Sequence, residues 1–393
     1  MHSSTGADAT SDRAVAFRIS LYYAMLFGMV GVVQPFFPVW LKSRGLDAAE
    51  IGVVMAAIMW VRVVSNPVAA GFADRFGRRK RMVTMLALGG ALTGLLFPFS
   101  WGFWAVLAVA ALQTAIQAPV MPLGDNLILL TARDRGLDYG RMRLWGSVAF
   151  IVTSIGIGTA LAGHGEDLII WTIVGCLFGV FVATSLLPNR TTPPAHRGSR
   201  PALALLRMPP FLLFVLCGGL NMASHAVLNA FATIHWRAAG IGEEFIGMLW
   251  AIGVIAEVVV FAFGQRLLRR LGIVGLMALG AGAGVVRWTG LALTDDPILL
   301  LGFQSLHALT FGAMHLGAMA FIQQAVPTRL SATAQALYAS LSMGVAVGLT
   351  TMASGLVYEA LGAYVFLAMT LLSIGSLAAN LALRRVWRGE EIA

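Results

Sequence analysis

The amino-acid sequence predicts an all-α membrane protein with twelve transmembrane helices in two pseudo-symmetric bundles of six. Hydrophobic residues make up 58% of the 393 residues, and charged residues only 11%. The apolar residues fall into runs of about 20, the length that a helix needs to cross a bilayer. The second half of the chain also repeats features of the first at a fixed spacing, which predicts the two bundles.

Each apolar run is predicted to be a helix because backbone polar groups in lipid have to be hydrogen-bonded within the segment. Short polar or arginine-rich loops separate the runs. The runs fall near residues 16–41, 49–71, 82–100, 102–130, 143–163, 168–187, 210–236, 245–265, 272–293, 297–325, 332–358 and 363–383.

The distribution of basic residues predicts the orientation, because cytoplasmic loops carry the excess of Lys and Arg. With the N-terminus inside, the inside segments hold 22 of the 27 basic residues, and the outside loops hold only Lys42, Arg44 and Arg237. We therefore expect a multi-pass protein of the inner membrane with both termini in the cytoplasm. Because the charge is spread over many loops, it does not indicate nucleic-acid binding.

Several kinds of chemistry have no matching sequence pattern. The N-terminus lacks the features of a removable signal peptide. Cys176 and Cys217 lie in apolar runs and indicate neither a disulfide nor a metal site. Nucleotide-binding and metal-binding motifs are also missing from the sequence. We expect no cofactor, no metal and no enzymatic activity, so an ion gradient has to supply the energy for any transport.

A Pro- and Arg-rich segment divides the chain into 1–187, a cytoplasmic linker at 188–209, and 210–393. A shift of 195 residues then aligns the two halves without a gap from Val32 onward. It places Gly45 on Gly240, Gly77 on Gly272 and Arg62 on Glu257. Parallel halves related by an axis along the membrane normal are typical of transporters that bind their substrate between the repeats.

Charged residues inside membrane spans are usually functional, since a charge at the bilayer centre costs about 2.5–3.5 kcal/mol on insertion scales. Glu257 lies in the middle of the run "IGMLWAIGVIAEVVVFAFG". The repeat suggests Arg62 as its partner, and Arg287 is the alternative.

Polar side chains recur at helical spacing in three spans. Interhelical hydrogen bonding and the lining of a cavity are both open interpretations of this pattern. The residues are Asn221, His225 and Asn229 in span 7, Gln304, His307 and His315 with Phe311 in span 10, and Gln113, Gln117 and Asp125 in span 4.

The loop "AGFADRFGRRKRM" from Ala70 resembles the loop 2–3 signature of the major facilitator superfamily, with Ala70 where the pattern has Gly. The resemblance implies the major facilitator fold. It also implies a gating role for Asp74, Arg75, Gly77 and Arg78, although the same arginines also fix topology.

A narrower resemblance rests on "LDYGRMRLWGSVAF", "GVVRW" and "LHALTFGAMHLGAM", which are similar to the 3-phenylpropionate permease group, relatives of the lactose and nucleoside proton symporters. It implies proton-coupled import of a small organic anion, an aromatic monocarboxylate such as 3-phenylpropionate, by alternating access. A sugar or nucleoside symporter, a drug exporter, and a membrane enzyme or receptor are the alternatives.

These arguments assign two sets of candidate residues. The predicted substrate-binding residues are Arg62, Trp60, Gln34, Asn229, His225, Gln117 and Trp288. The predicted proton-coupling residues are Glu257, Arg287, His307, His315 and Asp125. The expected partners are the organic anion, a proton and membrane lipid, with the protein acting as a monomer.

Overall fold

The computed structural model describes residues 5–189 and 202–392, with side chains described from residue 12 onward except at 74, 76, 202 and 203. Among these residues there are α-helices and no strands. The first seven helices are α1 (Thr5–Ser43), α2 (Ala48–Phe76), α3 (Arg79–Gly94), α4 (Phe103–Gln117), α5 (Val120–Arg135), α6 (Tyr139–Leu161) and α7 (Asp167–Leu186). The others are α8 (Ala202–Leu205), α9 (Pro209–Ala223), α10 (Ala226–Ala238), α11 (Glu243–Leu293), α12 (Pro297–Ser305), α13 (Met314–Ala325), α14 (Ser331–Tyr338), α15 (Val347–Leu361) and α16 (Val365–Val386).

Ten helical stretches of the described residues are long and apolar enough to cross a membrane. The two longest are interrupted by glycines with positive φ, Gly272 at 68° in Glu243–Leu293 and Gly362 at 52° in Thr328–Val386. Each of these two stretches therefore contains two membrane-length helices, which brings the crossings to twelve. The predicted all-α membrane fold is confirmed.

Several spans are not continuous α-helices. Span 4 breaks between α4 and α5 at Pro119, whose ring cannot donate a backbone hydrogen bond. Span 7 breaks between α9 and α10 at Ser224 and His225, where neither Pro nor Gly is present. Wider π-helical turns occupy Ala308–Ala313 and Ala339–Ala346, and such turns are frequent at functional sites.

The chain divides into two compact units, one comprising 1–46 and 64–197 and the other 47–63 and 198–393. Helix α2 contributes residues to both. The sequence-based division at 187 and 210 stays a prediction, and residues 190–201 of the proposed linker lie outside the described residues.

In the first unit, α1 packs along α6 and α7, and α3 packs against α7. Tyr22 donates a hydrogen bond from α1 to the Val120 carbonyl at 3.0 Å. Gly124 makes this approach possible, because a Cβ there would collide with the Tyr22 ring.

In the second unit, α11 packs on α16, on α13 and on the π-helical turn Ala308–Ala313. Phe214 of α9 stacks against Phe321 and Tyr338, with ring centroids 4.3 and 5.1 Å away. The chain end closes this core, because the Ile392 N–H donates to the Ala325 carbonyl at 2.7 Å and Trp387 packs on Phe321.

The internal repeat is visible in the backbone. Gly45 and Gly240 have φ of 84° and 83°, and Gly77 and Gly272 have φ of 63° and 68°. The Leu46 N–H bonds to the Leu41 carbonyl, as the Ile241 N–H does to the Trp236 carbonyl. Helices α1 and α10 thus end in the same glycine cap, in which a left-handed residue lets the chain turn back on the last carbonyls.

Glycines allow residues 48–63 of α2 to approach α15 closely within the second unit. A Cβ added at Gly355 would lie 2.6 Å from the Ala48 carbonyl oxygen and 3.1 Å from the Cα of Gly52. About two and three turns away, Gly348 and Gly344 accommodate Trp60 and Val63.

We expect Gly355→Ala to destabilise the protein by about 1–3 kcal/mol, the usual cost of overpacking, because the added methyl group meets backbone atoms. Thermal unfolding in detergent provides the measurement. The matched control is Gly282→Ala, since Gly282 is also helical but has no atom within 4 Å of an added Cβ. An equal melting temperature for the two variants would contradict this packing.

Orientation is tested by cysteine labelling in a chain whose two native cysteines are replaced by Ser. Lys42 and Arg385 are both exposed, at the ends of α1 and α16. The charge asymmetry predicts that an impermeant maleimide labels Lys42→Cys in intact cells but labels Arg385→Cys only after permeabilisation. The opposite pattern would reverse the proposed topology.

Candidate functional site

The second unit contains an arginine that is buried in the middle of its membrane helices. The Arg287 side chain is only 1% exposed. Its two terminal nitrogens donate to Thr310 Oγ1 and to Gln304 Oε1, both at 2.8 Å. Gln304 is held in turn by its bond to the Leu249 carbonyl. Neutral oxygen acceptors therefore replace water around this cation.

A histidine connects Arg287 to Glu257. Arg287 NH1 lies 3.2 Å from His307 Nδ1, and His307 Nε2 lies 3.4 Å from Glu257 Oε2. Because a guanidinium can only donate, Nδ1 has to be the acceptor, so the ring carries its proton on Nε2 and is neutral. The Nε2–H is directed to Glu257. The three residues form a chain in which the imidazole separates the cation from the carboxylate.

Hydrogen bonds continue from Arg287 to α9 and to the break in span 7. His225 Nδ1 lies 3.0 Å from the Asn221 carbonyl oxygen, so it is the donor, and in the neutral ring Nε2 is then the acceptor. Thr310 Oγ1 lies 3.1 Å from that Nε2 and supplies the proton. The Asn221 side-chain amide donates to the Thr310 carbonyl at 2.7 Å. These polar residues of spans 7 and 10 thus make interhelical hydrogen bonds, one of the two interpretations open from sequence.

Two glycines leave room for the side chains of His307 and Glu257. The His307 side chain packs over Gly253, one turn before Glu257 on α11, and the Glu257 side chain packs over Gly312. His307, Phe311 and His315 stack in a row, with interplanar angles of 6° and 5° and centroid separations of 5.4 and 5.8 Å. The three rings therefore lie on one helix face, as their spacing predicts.

Of the three residues Glu257, His307 and Arg287, His307 and Glu257 are partly accessible, with 17% and 19% of their side chains exposed. His315 is also half-buried, and its Nδ1 has no hydrogen-bond partner among the described residues. Asn229, from the set predicted to bind substrate, is half-buried in α10.

Trp288 is fully buried and has no surface open to a ligand in this structure. Its indole N–H donates to Ser224 Oγ at 3.0 Å, and its ring lies 4.6 Å from the Arg287 guanidinium. It therefore supports the buried cation through a cation–π contact. Ser224 and Thr310 are the functional side chains that sequence reasoning missed.

Arg62 does not pair with Glu257. It is exposed, and no hydrogen bond or ion pair joins it to another of the described residues. Trp60 packs on Gly348 of α15. Since positions two apart do not share a helix face, Trp60 and Arg62 point in different directions. The equivalence of Arg62 and Glu257 in the repeat stays a prediction, and equivalence by symmetry does not require contact.

The first unit contains the other candidates. Tyr23 donates to Asp125 Oδ1 at 2.7 Å, and the Tyr139 hydroxyl lies 3.3 Å from the Tyr23 hydroxyl. The Arg143 guanidinium stacks on Phe27 at 3.7 Å.

The remaining candidates in the first unit are two glutamines. Neither amide atom of Gln117 has a hydrogen-bond partner among the described residues, and its side chain packs over Gly90. Gln34 is half-buried in α1.

The loop that resembles the superfamily signature forms the tight turn between α2 and α3. Gly77 provides the positive φ of this turn, and its N–H bonds to the Ala73 carbonyl at 3.0 Å. Arg75 and Arg78 are exposed, and Arg79 donates to Asn126 of α5. The side chain of Asp74 lies outside the described residues, so its gating role stays a prediction.

Comparisons with known proteins support this architecture. A sequence model of the MFS_1 like family matches residues 16–368. The "Probable 3-phenylpropionic acid transporter" of Escherichia coli K12 is 33% identical over 375 residues, covering 91% of this chain and 94% of that protein. The maltose permease of Geobacillus stearothermophilus is 24% identical over 348 residues, covering 86% of each.

Solved structures show the same fold. The nucleoside transporter NupG superposes with a TM-score of 0.81 at 16% identity, over 95% of this chain and 98% of that one. A bacterial homologue of the human lysosomal transporter Spinster gives a TM-score of 0.73 at 13% identity, over the full length of both. The chain therefore belongs to the MFS_1 like family and is a multi-pass membrane transporter of the major facilitator superfamily, not an enzyme.

Proposed function

We propose that this chain imports a small organic anion together with a proton across the bacterial inner membrane by alternating access. The hydrogen-bonded series Glu257–His307–Arg287 is the observation that carries this proposal, because it joins a titratable carboxylate to a buried cation through a neutral ring. The proposed substrate is an aromatic monocarboxylate such as 3-phenylpropionate, on the basis of the similarity to the E. coli protein.

Glu257 is the proposed proton carrier, and His307 is the group that connects it to Arg287. Protonation of His307 would turn Nδ1 into a donor directed at Arg287 NH1, 3.2 Å away. Two like charges at that distance repel strongly in a medium of low dielectric constant. Protonation of Glu257 leaves the His307–Arg287 bond in place. The proton therefore binds more favourably to the carboxylate.

Arg62 is the proposed ligand for the substrate carboxylate. It lies in the middle of an apolar span and is exposed, whereas Arg287 is buried and both of its terminal nitrogens donate hydrogen bonds. An arginine at membrane depth needs a counter-charge, which a carboxylate supplies through two parallel hydrogen bonds. This arrangement favours an anion over a neutral sugar or nucleoside.

Replacing Arg62 tests the substrate class. Arg62→Ala is expected to weaken binding of 3-phenylpropionate by about tenfold to a hundredfold, the range of a charge-assisted hydrogen bond, while binding of its neutral amide changes less. Arg62→Lys keeps the charge and recovers part of the affinity. The measurement is the dissociation constant of each ligand for the purified variants. Equal loss of acid and amide would indicate a structural role for Arg62.

Replacing Glu257 tests the coupling. Glu257→Gln mimics the protonated carboxyl group and keeps an acceptor oxygen for the His307 Nε2–H. We expect the variant to exchange substrate across proteoliposomes but not to accumulate it under an inward proton gradient. Exchange in the same vesicles is the internal control for folding and binding.

Full gradient-driven accumulation by Glu257→Gln would overturn the role of Glu257 and direct attention to His315 or Asp125. A screen of the wild-type vesicles with aromatic acids, sugars and nucleosides separates the proposed substrate class from its alternatives by which compound accumulates.

A further inference from the structure

The second unit contains a cavity of about 680 Å³ at the C-terminal end of α16, and neither Arg287, His307 nor Glu257 lines it. Its volume is typical of small-molecule sites. The cavity lies between the kink in α11, the end of α13 and the end of α16. Gly272, Ile273, Asn380, Arg384 and Arg388 are among its lining residues.

The polar side of this cavity is positively charged. Arg384 and Arg388 both line it and are exposed, and no acidic residue is among the lining residues. Trp387 separates them in the chain and packs into the core, which holds the segment that carries Arg388 against the bundle. The Glu390 carboxylate accepts from the Arg388 backbone N–H at 3.2 Å without lining the cavity, and the two arginines on the wall favour an anionic ligand.

The backbone adds to this preference for an anion. Gly272, with φ of 68° and ψ of 175°, interrupts α11, and the helix restarts at Ile273. The first turn of a helix carries N–H groups without intrahelical partners and the positive end of the helix dipole. Residues 272–275 line the cavity, so the start of this helix forms part of its wall.

One of the lining side chains carries a buried hydrogen-bond acceptor. Asn380 is fully buried, and its Nδ2 donates to the Val274 carbonyl at 2.9 Å. Its Oδ1 has no hydrogen-bond partner among the described residues. An unpaired buried acceptor is costly, and a hydroxyl donor from a ligand removes that cost.

The remaining side of the cavity faces the apolar surface of the bundle. Leu271 and Leu381 line it and are 44% and 50% exposed. In a membrane protein such leucines contact the hydrocarbon of the bilayer. The ligand therefore has an anionic, hydroxyl-bearing end and an apolar end.

We propose that this cavity binds the headgroup of an anionic glycerophospholipid such as phosphatidylglycerol. The phosphate lies between Arg384, Arg388 and the helix start at Ile273. A headgroup hydroxyl donates to Asn380 Oδ1, and the acyl chains extend along Leu271 and Leu381. Basic pockets between helices on the cytoplasmic side are known to bind such headgroups, and this is the side that the charge asymmetry predicts for the end of α16.

The test is native mass spectrometry of the purified full-length chain, titrated in detergent with phosphatidylglycerol or with phosphatidylcholine. We expect wild-type protein to retain phosphatidylglycerol in preference to phosphatidylcholine. The double variant Arg384→Gln/Arg388→Gln is expected to lose affinity about thirtyfold, from about fivefold for each arginine near the membrane surface. Arg385→Gln, which removes an exposed charge that does not line the cavity, leaves the affinity unchanged.

A second variant tests the hydroxyl contact. Asn380→Leu is expected to reduce retention of phosphatidylglycerol while retention of phosphatidic acid, which has no headgroup glycerol, stays the same. A merely structural defect would lower both equally.

Three outcomes would overturn the proposal. Equal retention of the two lipid classes by the wild type would show that no anionic headgroup site exists. An Arg385→Gln effect as large as that of the double variant would show a general surface-charge effect. Displacement of the lipid by millimolar glycerol 1-phosphate would identify a soluble phosphate compound, and not a lipid, as the ligand.

Discussion

The arrangement of the second unit depends on keeping the Arg287 cation in a medium without water. Taking a guanidinium out of water costs several kcal/mol, and only neighbouring acceptors and a counter-charge offset that cost. Thr310, Gln304 and His307 supply the acceptors, and Trp288 supplies the face of its ring. These contacts come from spans 9 and 10, so the cation joins the two. Removing one partner leaves a charge uncompensated, which costs more than the contact itself contributes.

In the proposed mechanism, the same arrangement links the charge of the substrate to the charge of the proton. Glu257 and Arg287 together are neutral, and a proton on Glu257 adds one positive charge to this group. An anion at Arg62 cancels one positive charge elsewhere in the same unit. Binding both therefore changes the total charge less than binding either alone. In a low-dielectric interior this difference favours joint movement of the two ligands.

Sequence alone predicted the fold well, because length and hydrophobicity determine which segments cross a bilayer. It also predicted the repeat, since Gly45 and Gly240 are both required by the same left-handed cap. The hydrogen bonds between side chains of different helices were harder to predict from sequence. Thr310 and Ser224 are short hydroxyl residues in apolar runs, where most such side chains bond only to their own helix. The protonation pattern of His307 follows from its neighbours on two helices, and the break at Ser224 has no Pro or Gly to mark it.

The π-helical turn at Ala308–Ala313 has a consequence for everything that follows it along the helix. Such a turn amounts to one residue inserted into an α-helix, so the residues beyond it are rotated by about 100° from where a regular helix would place them. Beyond the turn, Gly317 meets Met277, and Phe321 meets Phe214 and Trp387. The π-helical turn therefore sets the rotation of the helix both for the row of rings at His307 and for the core of the second unit. Loss of one residue from the turn would misalign the packing of α13 while leaving the amino-acid composition of the span almost unchanged.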